Sequence, residues 1–203
     1  AIGTDIMYDN VMDKWVWGNM DDVEHGVYMD ENNRRMVTNV RLQMANLSEA
    51  LLKERDPERA MLVLDELMRA MPKENVPYSR VMMPVAETYM QLASDTALAP
   101  NTKNLSEVSR LHAWKMAQEI SHDFMAMQED NIAYFTSLEP EYYMAVDRET
   151  QFALQVGDRL VRVMKYFHPT SDVTKALEDR LTDMELEVEA YERNLVDVGD
   201  FAF

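Results

Sequence analysis

Residues 31–72 read ENNRRMVTNVRLQMANLSEALLKERDPERAMLVLDELMRAMP, and this stretch decides the fold. Val37, Val40, Met44, Leu47 and Leu51 recur every three or four residues. In a helix of about 3.6 residues per turn that spacing puts them on one face. Asp30 precedes the run and suits an N-cap, because a carboxylate there accepts an amide that lacks an intrahelical partner. The predicted helix covers 31–54. Arg55-Asp56-Pro57 is a tight break. Pro57 then opens a second helix, 57–71, at the first position, where its missing N–H is no loss. Ala60, Val63, Leu64, Leu67 and Met71 face inward on it, and Pro72 and Pro77 end it. Two apolar stripes joined by a tight break predict an antiparallel hairpin.

The same periodicity continues outward. A third helix is expected over 78–93, with Pro84 bending it. Residues 94–104 (SDTALAPNTKN) read as a long loop. A fourth helix covers 105–138, with Ala113, Met116, Ala117, Ile120, Phe124, Met127 and Tyr134 inward, up to Glu139-Pro140. A fifth covers 141–167 with Phe152, Val156, Leu160, Val163, Met164 and Phe167 inward, stopped at His168-Pro169. A sixth, 171–196, shows a near-heptad seam of Val173, Leu177, Leu181, Met184, Val188, Tyr191 and Leu195. Residues 1–30 differ from all of these. They hold Tyr8, Trp15, Trp17 and Tyr28 with Gly3, Gly18 and Gly26. They read as an irregular, aromatic-rich leading segment packed on the helices, with a short helix over Asp9–Trp15. The domain proper is expected to be 31–203.

Composition agrees with an all-α chain. Five glycines in 203 residues disfavour turn-rich β architectures and phosphate-cradling loops. The absence of cysteine excludes disulfides, thiolate metal sites and cysteine nucleophiles. Acidic residues outnumber basic ones 37 to 20, a formal charge of −17, so nucleic acid is not an expected partner. No apolar run approaches the roughly 18 residues of a membrane span, so this chain is not expected to insert in a membrane. It begins at Ala1, without an initiator Met or a signal peptide, and reads as an excised piece of a larger protein.

Met44, Leu47, Ser48 and Leu51, then Ala60, Leu64, Leu67 and Pro72, fit the 34-residue tetratricopeptide hairpin. Ala60 stands where a small residue lets two helices approach. Pro84-Val-Ala86-Glu-Thr-Tyr89 looks like the start of a second unit. The expected architecture is thus antiparallel hairpins in a tetratricopeptide-like right-handed array.

A second resemblance rests on DIMYDNVMDKWVWGNM and VYMDENNRRM in residues 5–36, continued by NVRLQMANLSEALL, VPYSRVMMPVAETYMQL and YFTSLEPE. These strings resemble the C-terminal soluble domain of a family of large bacterial multi-pass membrane proteins. That family was long catalogued as a domain of unknown function. It is related to protein O-mannosyltransferases that use a lipid-linked sugar donor. The resemblance spans most of the first 140 residues, with 94–112 as an insertion. It implies catalysis in an N-terminal membrane part that this chain does not contain. It also implies a non-catalytic, glycosyltransferase-associated domain on the periplasmic face of the inner membrane, which contacts a polypeptide or the membrane portion of the same protein. No cofactor is expected.

The first helix of each pair lines the concave face of such arrays. Arg41, Tyr78 and Arg80 are therefore the candidate partner-binding groove, where guanidinium groups would meet a carboxylate or the carbonyls of an extended peptide. Asp21, Asp22, Glu24 and His25 form the densest ligand-like cluster, an oxygen-rich loop that a hard cation would favour. They underlie the competing reading, a stand-alone metal-dependent hydrolase. A third reading is a purely structural spacer. Glu185, Glu187 and Glu189 alternate and so cannot converge on one substrate. Neither His112 nor His122 has a carboxylate or histidine three or four residues after it to make a recognisable metal motif. Gly157 reads as a close-packing point inside a helix. The 18 methionines read mainly as core filling, with an adaptable groove as the alternative.

Overall fold

In the computed structural model, described for residues 3–94 and 97–199 with side chains through 195, helix makes up 74% and no strand occurs among the described residues. The helices are α1 (Thr4–Asp9), α2 (Glu31–Lys53), α3 (Pro57–Ala70), α4 (Met82–Ala93), α5 (Glu107–Thr136), α6 (Pro140–Tyr143), α7 (Asp147–Phe167) and α8 (Asp172–Gly199). A π turn, Asn10–Lys14, follows α1, and a 3-10 turn, Pro100–Thr102, precedes α5. The chain groups into two compact units, Ala1–Ala117 and Gln118–Phe203, divided within α5. Residues 1–30 belong to the first unit.

The first unit is built on the predicted hairpin. Asp30 and Asp56 cap α2 and α3, accepting from the amides of Asn33 at 2.8 Å and Arg59 at 3.1 Å. Met44, Leu47, Leu51, Val63, Leu64, Leu67 and Met71 are buried, as their spacing requires. Ala60 is buried too, and Ser48 Oγ donates to its carbonyl at 2.9 Å, so the helices approach closely near the turn. At the far end Arg41, on α2, donates to the Met71 carbonyl beyond α3, which fixes the pair as antiparallel. α2 closes with the Asp56 amide donating to Leu51 and the Arg55 amide to Leu52, and Arg55 takes φ +67°. This is a Schellman closure with arginine where glycine is usual.

α4 starts at Met82, not at 78. Its first turn is set by the Met82 and Met83 amides donating to the carbonyls of Ser79 and Arg80. Pro84 therefore sits in the first turn, where it interrupts no intrahelical hydrogen bond, instead of bending a longer helix. The predicted 94–104 loop holds the 3-10 turn, and residues 95 and 96 lie outside the described residues. Arg110 of α5 pins the loop by donating to the carbonyls of Ser94 at 2.7 Å and Thr102 at 2.5 Å. The leading segment is more ordered than expected. Its helix begins at Thr4, five residues before the predicted start, and runs into the π turn.

In the second unit, Ile120, Phe124, Met125 and Ile132 of α5 are buried. So are Ala153, Leu160, Val161 and Met164 of α7, and Leu177, Leu181, Met184 and Val188 of α8. α7 and α8 run antiparallel, with Lys165 Nζ 2.5 Å from Glu178. Gly157 is a close-packing point, as expected: a Cβ there would lie 3.1 Å from Leu181 Cδ1 and 3.6 Å from Met125 Sδ. The predicted fifth helix is broken into α6 and α7. Tyr143 ends α6, is buried, packs its ring at a tilt of 48° against that of Tyr191 with centroids 4.6 Å apart, and donates to Glu192 at 3.1 Å. Tyr191 in turn donates to the Leu138 carbonyl. Tyr134 and Phe152, both expected inward, are 60% and 48% exposed. The apolar faces are instead set by Ile132 and Ala153, two residues and one residue away, where a shift of one position swings a side chain by about 100°.

Candidate functional site

Arg41 is the residue the structure moves furthest from its expected place. It lies not on an open face but fully buried, and this corrects its assignment to a groove accessible to a partner. Position 41 is four residues after Val37 and three before Met44, so it occupies the core register of α2. Its guanidinium donates to three carbonyls in the chain that leads from α3 to α4: Met71 at 2.8 Å, Val76 at 2.9 Å and Pro77 at 3.1 Å. It does meet an extended segment through carbonyls, but the segment is its own. The Tyr78 ring lies 5.8 Å from the guanidinium carbon. Burial pushes the guanidinium down to about 10, so it is still a cation at neutral pH. The buried cation is stabilised by carbonyl dipoles and a ring face.

Tyr78 is half-buried over Arg41, and Arg80 is exposed. Two of the three groove residues thus reach the surface just before α4, while the third lies buried under the Tyr78 ring.

The acidic loop is bound into the scaffold. Asp21 pairs with Arg69 of α3 at 2.7 Å, and Asp22 meets the His25 Nδ1 at 2.9 Å. Asn75 donates to the carbonyls of Met20 at 2.8 Å and Asp22 at 2.9 Å and accepts the Val27 amide at 3.2 Å. Trp17 Nε1 donates to Glu66 at 2.6 Å, and Glu66 also pairs with Arg69 at 2.7 Å. The Arg69 guanidinium and the Trp17 donor hold the Glu66 carboxyl below the usual range. Among the described residues no three His, Asp or Glu side chains gather as a metal site. The four loop residues are not brought together as the ligand set that the hydrolase reading requires.

One polar cluster had no signal in the sequence. Asp65 Oδ1 accepts from the buried Tyr89 hydroxyl at 2.7 Å and lies 2.9 Å from His112 Nε2. Burial, with the Asp65 charge beside it, raises the Tyr89 hydroxyl well above its ordinary value, so it stays protonated as a donor. The three residues come from α3, α4 and α5, and helical spacing within one helix reveals none of these pairings. His122 is exposed beside Asp123, at 3.9 Å. His168 ends α7, as expected, its amide donating to Met164 and its carbonyl accepting from Thr174. Glu185, Glu187 and Glu189 are all exposed along α8. Nine methionines are buried, among them Met44, Met71, Met82 and Met164, as core filling requires, whereas Met36 and Met144 are exposed.

No protein-family model, no curated protein and no solved structure matches the chain.

Proposed function

We propose that this chain is a non-catalytic accessory domain that holds a polypeptide, either an acceptor or the membrane portion of the same protein. One observation carries the reading: the polar side chains with chemical potential are engaged in holding the scaffold. Arg41 gathers the carbonyls of 71–77, Asp21 is paired to Arg69, and Asp65 binds Tyr89 and His112. A surface held rigid in this way suits recognition, because little ordering remains to oppose binding. In this reading the α2–α3 hairpin and α4 form a tetratricopeptide-like array, and Tyr78 and Arg80 form the lip of its binding face. The resemblance of residues 5–36 supplies the parent, a membrane-bound glycosyltransferase-like protein with this domain on the periplasmic side. No helix among the described residues is long and apolar enough to cross a membrane.

The test is a library of extended peptides presented to the wild type and to a Tyr78→Ala/Arg80→Ala variant. The reading expects micromolar to millimolar binding by the wild type, weakened at least tenfold in the variant. Equal binding by both places the groove elsewhere. Binding by neither favours the spacer.

A further inference from the structure

α7 turns Phe152, Gln155, Arg159, Arg162 and Tyr166 to one exposed side at spacings of three and four. They lie on the side of α7 turned away from Leu160, Val161 and Met164, with Phe152 at the border next to Val156. Two large aromatics, 48% and 63% exposed, bracket two guanidinium groups. α8 carries the counterpart. Ala176, Asp179, Asp183, Leu186 and Ala190 are exposed at the same alternating spacing, opposite Leu177, Leu181, Met184 and Val188.

Set antiparallel, the stripes match in one unbroken register. Tyr166 faces Ala176, Arg162 faces Asp179, Arg159 faces Asp183, Gln155 faces Leu186 and Phe152 faces Ala190. Bulky rings meet small residues, and cations meet carboxylates. Alternating spacings of three and four are what two packed helices use to interdigitate.

Within one chain this pairing is impossible, because each stripe points away from the core that the two helices share. The heights nevertheless agree. The Lys165–Glu178 pair and the approach of Gly157 to Leu181 set residues 159–166 level with residues 176–183 along the hairpin. A rotation about an axis parallel to α7 and α8 keeps those levels. It brings the α7 stripe of one copy onto the α8 stripe of another.

We propose that this chain self-associates by packing the basic-aromatic face of α7 against the acidic face of α8 in a second copy. This stands independently of the Tyr78–Arg80 reading. Arg162 is paired with Asp158 at 2.5 Å, but it is 71% exposed, and such surface pairs exchange at little cost. The charge of −17 opposes approach of two copies at long range. At about 0.15 M salt, charges beyond roughly 8 Å are screened, and the local complement decides.

The experiment is sedimentation equilibrium of the full chain at that salt over a wide concentration range. The wild type is expected to gain mass with concentration. Arg159→Glu/Arg162→Glu and Asp179→Arg/Asp183→Arg, each verified as helical by circular dichroism, are each expected to stay monomeric, since each sets like charges face to face. Their equimolar mixture is expected to associate again, because both contacts are then of opposite charge. A wild type that is monomeric throughout overturns the proposal. So do variants that associate like the wild type, or a mixture that stays monomeric.

Discussion

Three backbone carbonyls converge on Arg41, and they govern what a substitution there does. Arg41→Met keeps much of the stem but leaves the Met71, Val76 and Pro77 carbonyls without their donor. Relief of the buried charge offsets part of the loss. The expected outcome is a loss of about 2–4 kcal/mol, read from the urea midpoint. An unchanged midpoint would show that charge burial cancels the bonds. The register of position 41 was visible in the sequence, between Val37 and Met44, but the charge made it read as outward. A cation in a core register calls for carbonyl or carboxylate partners, and that was the available signal. Asp65, Tyr89 and His112 offered none, because their partners are supplied by three separate helices. Glu66 gives a pH test. Its folded carboxyl lies below its ordinary value of 4.5, so its contribution is present above that pH and is lost as pH falls through the lower folded value. Glu66→Gln is therefore expected to cost about 1–2 kcal/mol at neutral pH, a difference that shrinks as pH drops below that ordinary value. A difference that stays constant to low pH would contradict the pairing.

Elements are closed by their ends and their closest approaches. Arg55 holds φ +67° at the end of α2, a conformation that costs a side chain but not glycine. Arg55→Gly is expected to raise stability by about 0.5–1 kcal/mol in thermal unfolding, and a lowered midpoint would show that the arginine side chain contributes more than the strain. Inside α7, Gly157→Val adds bulk 3.1 Å from Leu181 Cδ1. It is expected to cost about 1–3 kcal/mol, partly restored when Leu181→Ala opens room in the same chain. Failure of that double variant to recover would place the strain elsewhere. The hairpin of residues 31–70 was legible because its caps, stripes and break agree. The gap between α6 and α7 was not, because Met144–Val146 contains neither glycine nor proline. The break is accompanied by Tyr143, whose partners Tyr191 and Glu192 lie about fifty residues further on.

At the scale of the molecule, a strongly acidic chain is organised as two helical units. All three tryptophans, Trp15, Trp17 and Trp114, belong to the first unit, so their emission reports on the unit that bears Tyr78 and Arg80. The class of fold was legible because helical periodicity survives in every segment; the grouping into two units was not, because the division falls inside α5 where no composition shift marks it. The proposed role is that this unit recognises a polypeptide without transforming it. Hydrogen–deuterium exchange of the full chain, with and without a peptide selected from the library, tests it most directly when the peptide's mass is followed in the same samples. Slowed exchange around residues 78–83 and a peptide recovered unchanged are expected. Slowed exchange confined to other segments, or a peptide cleaved or modified by the chain, would contradict it.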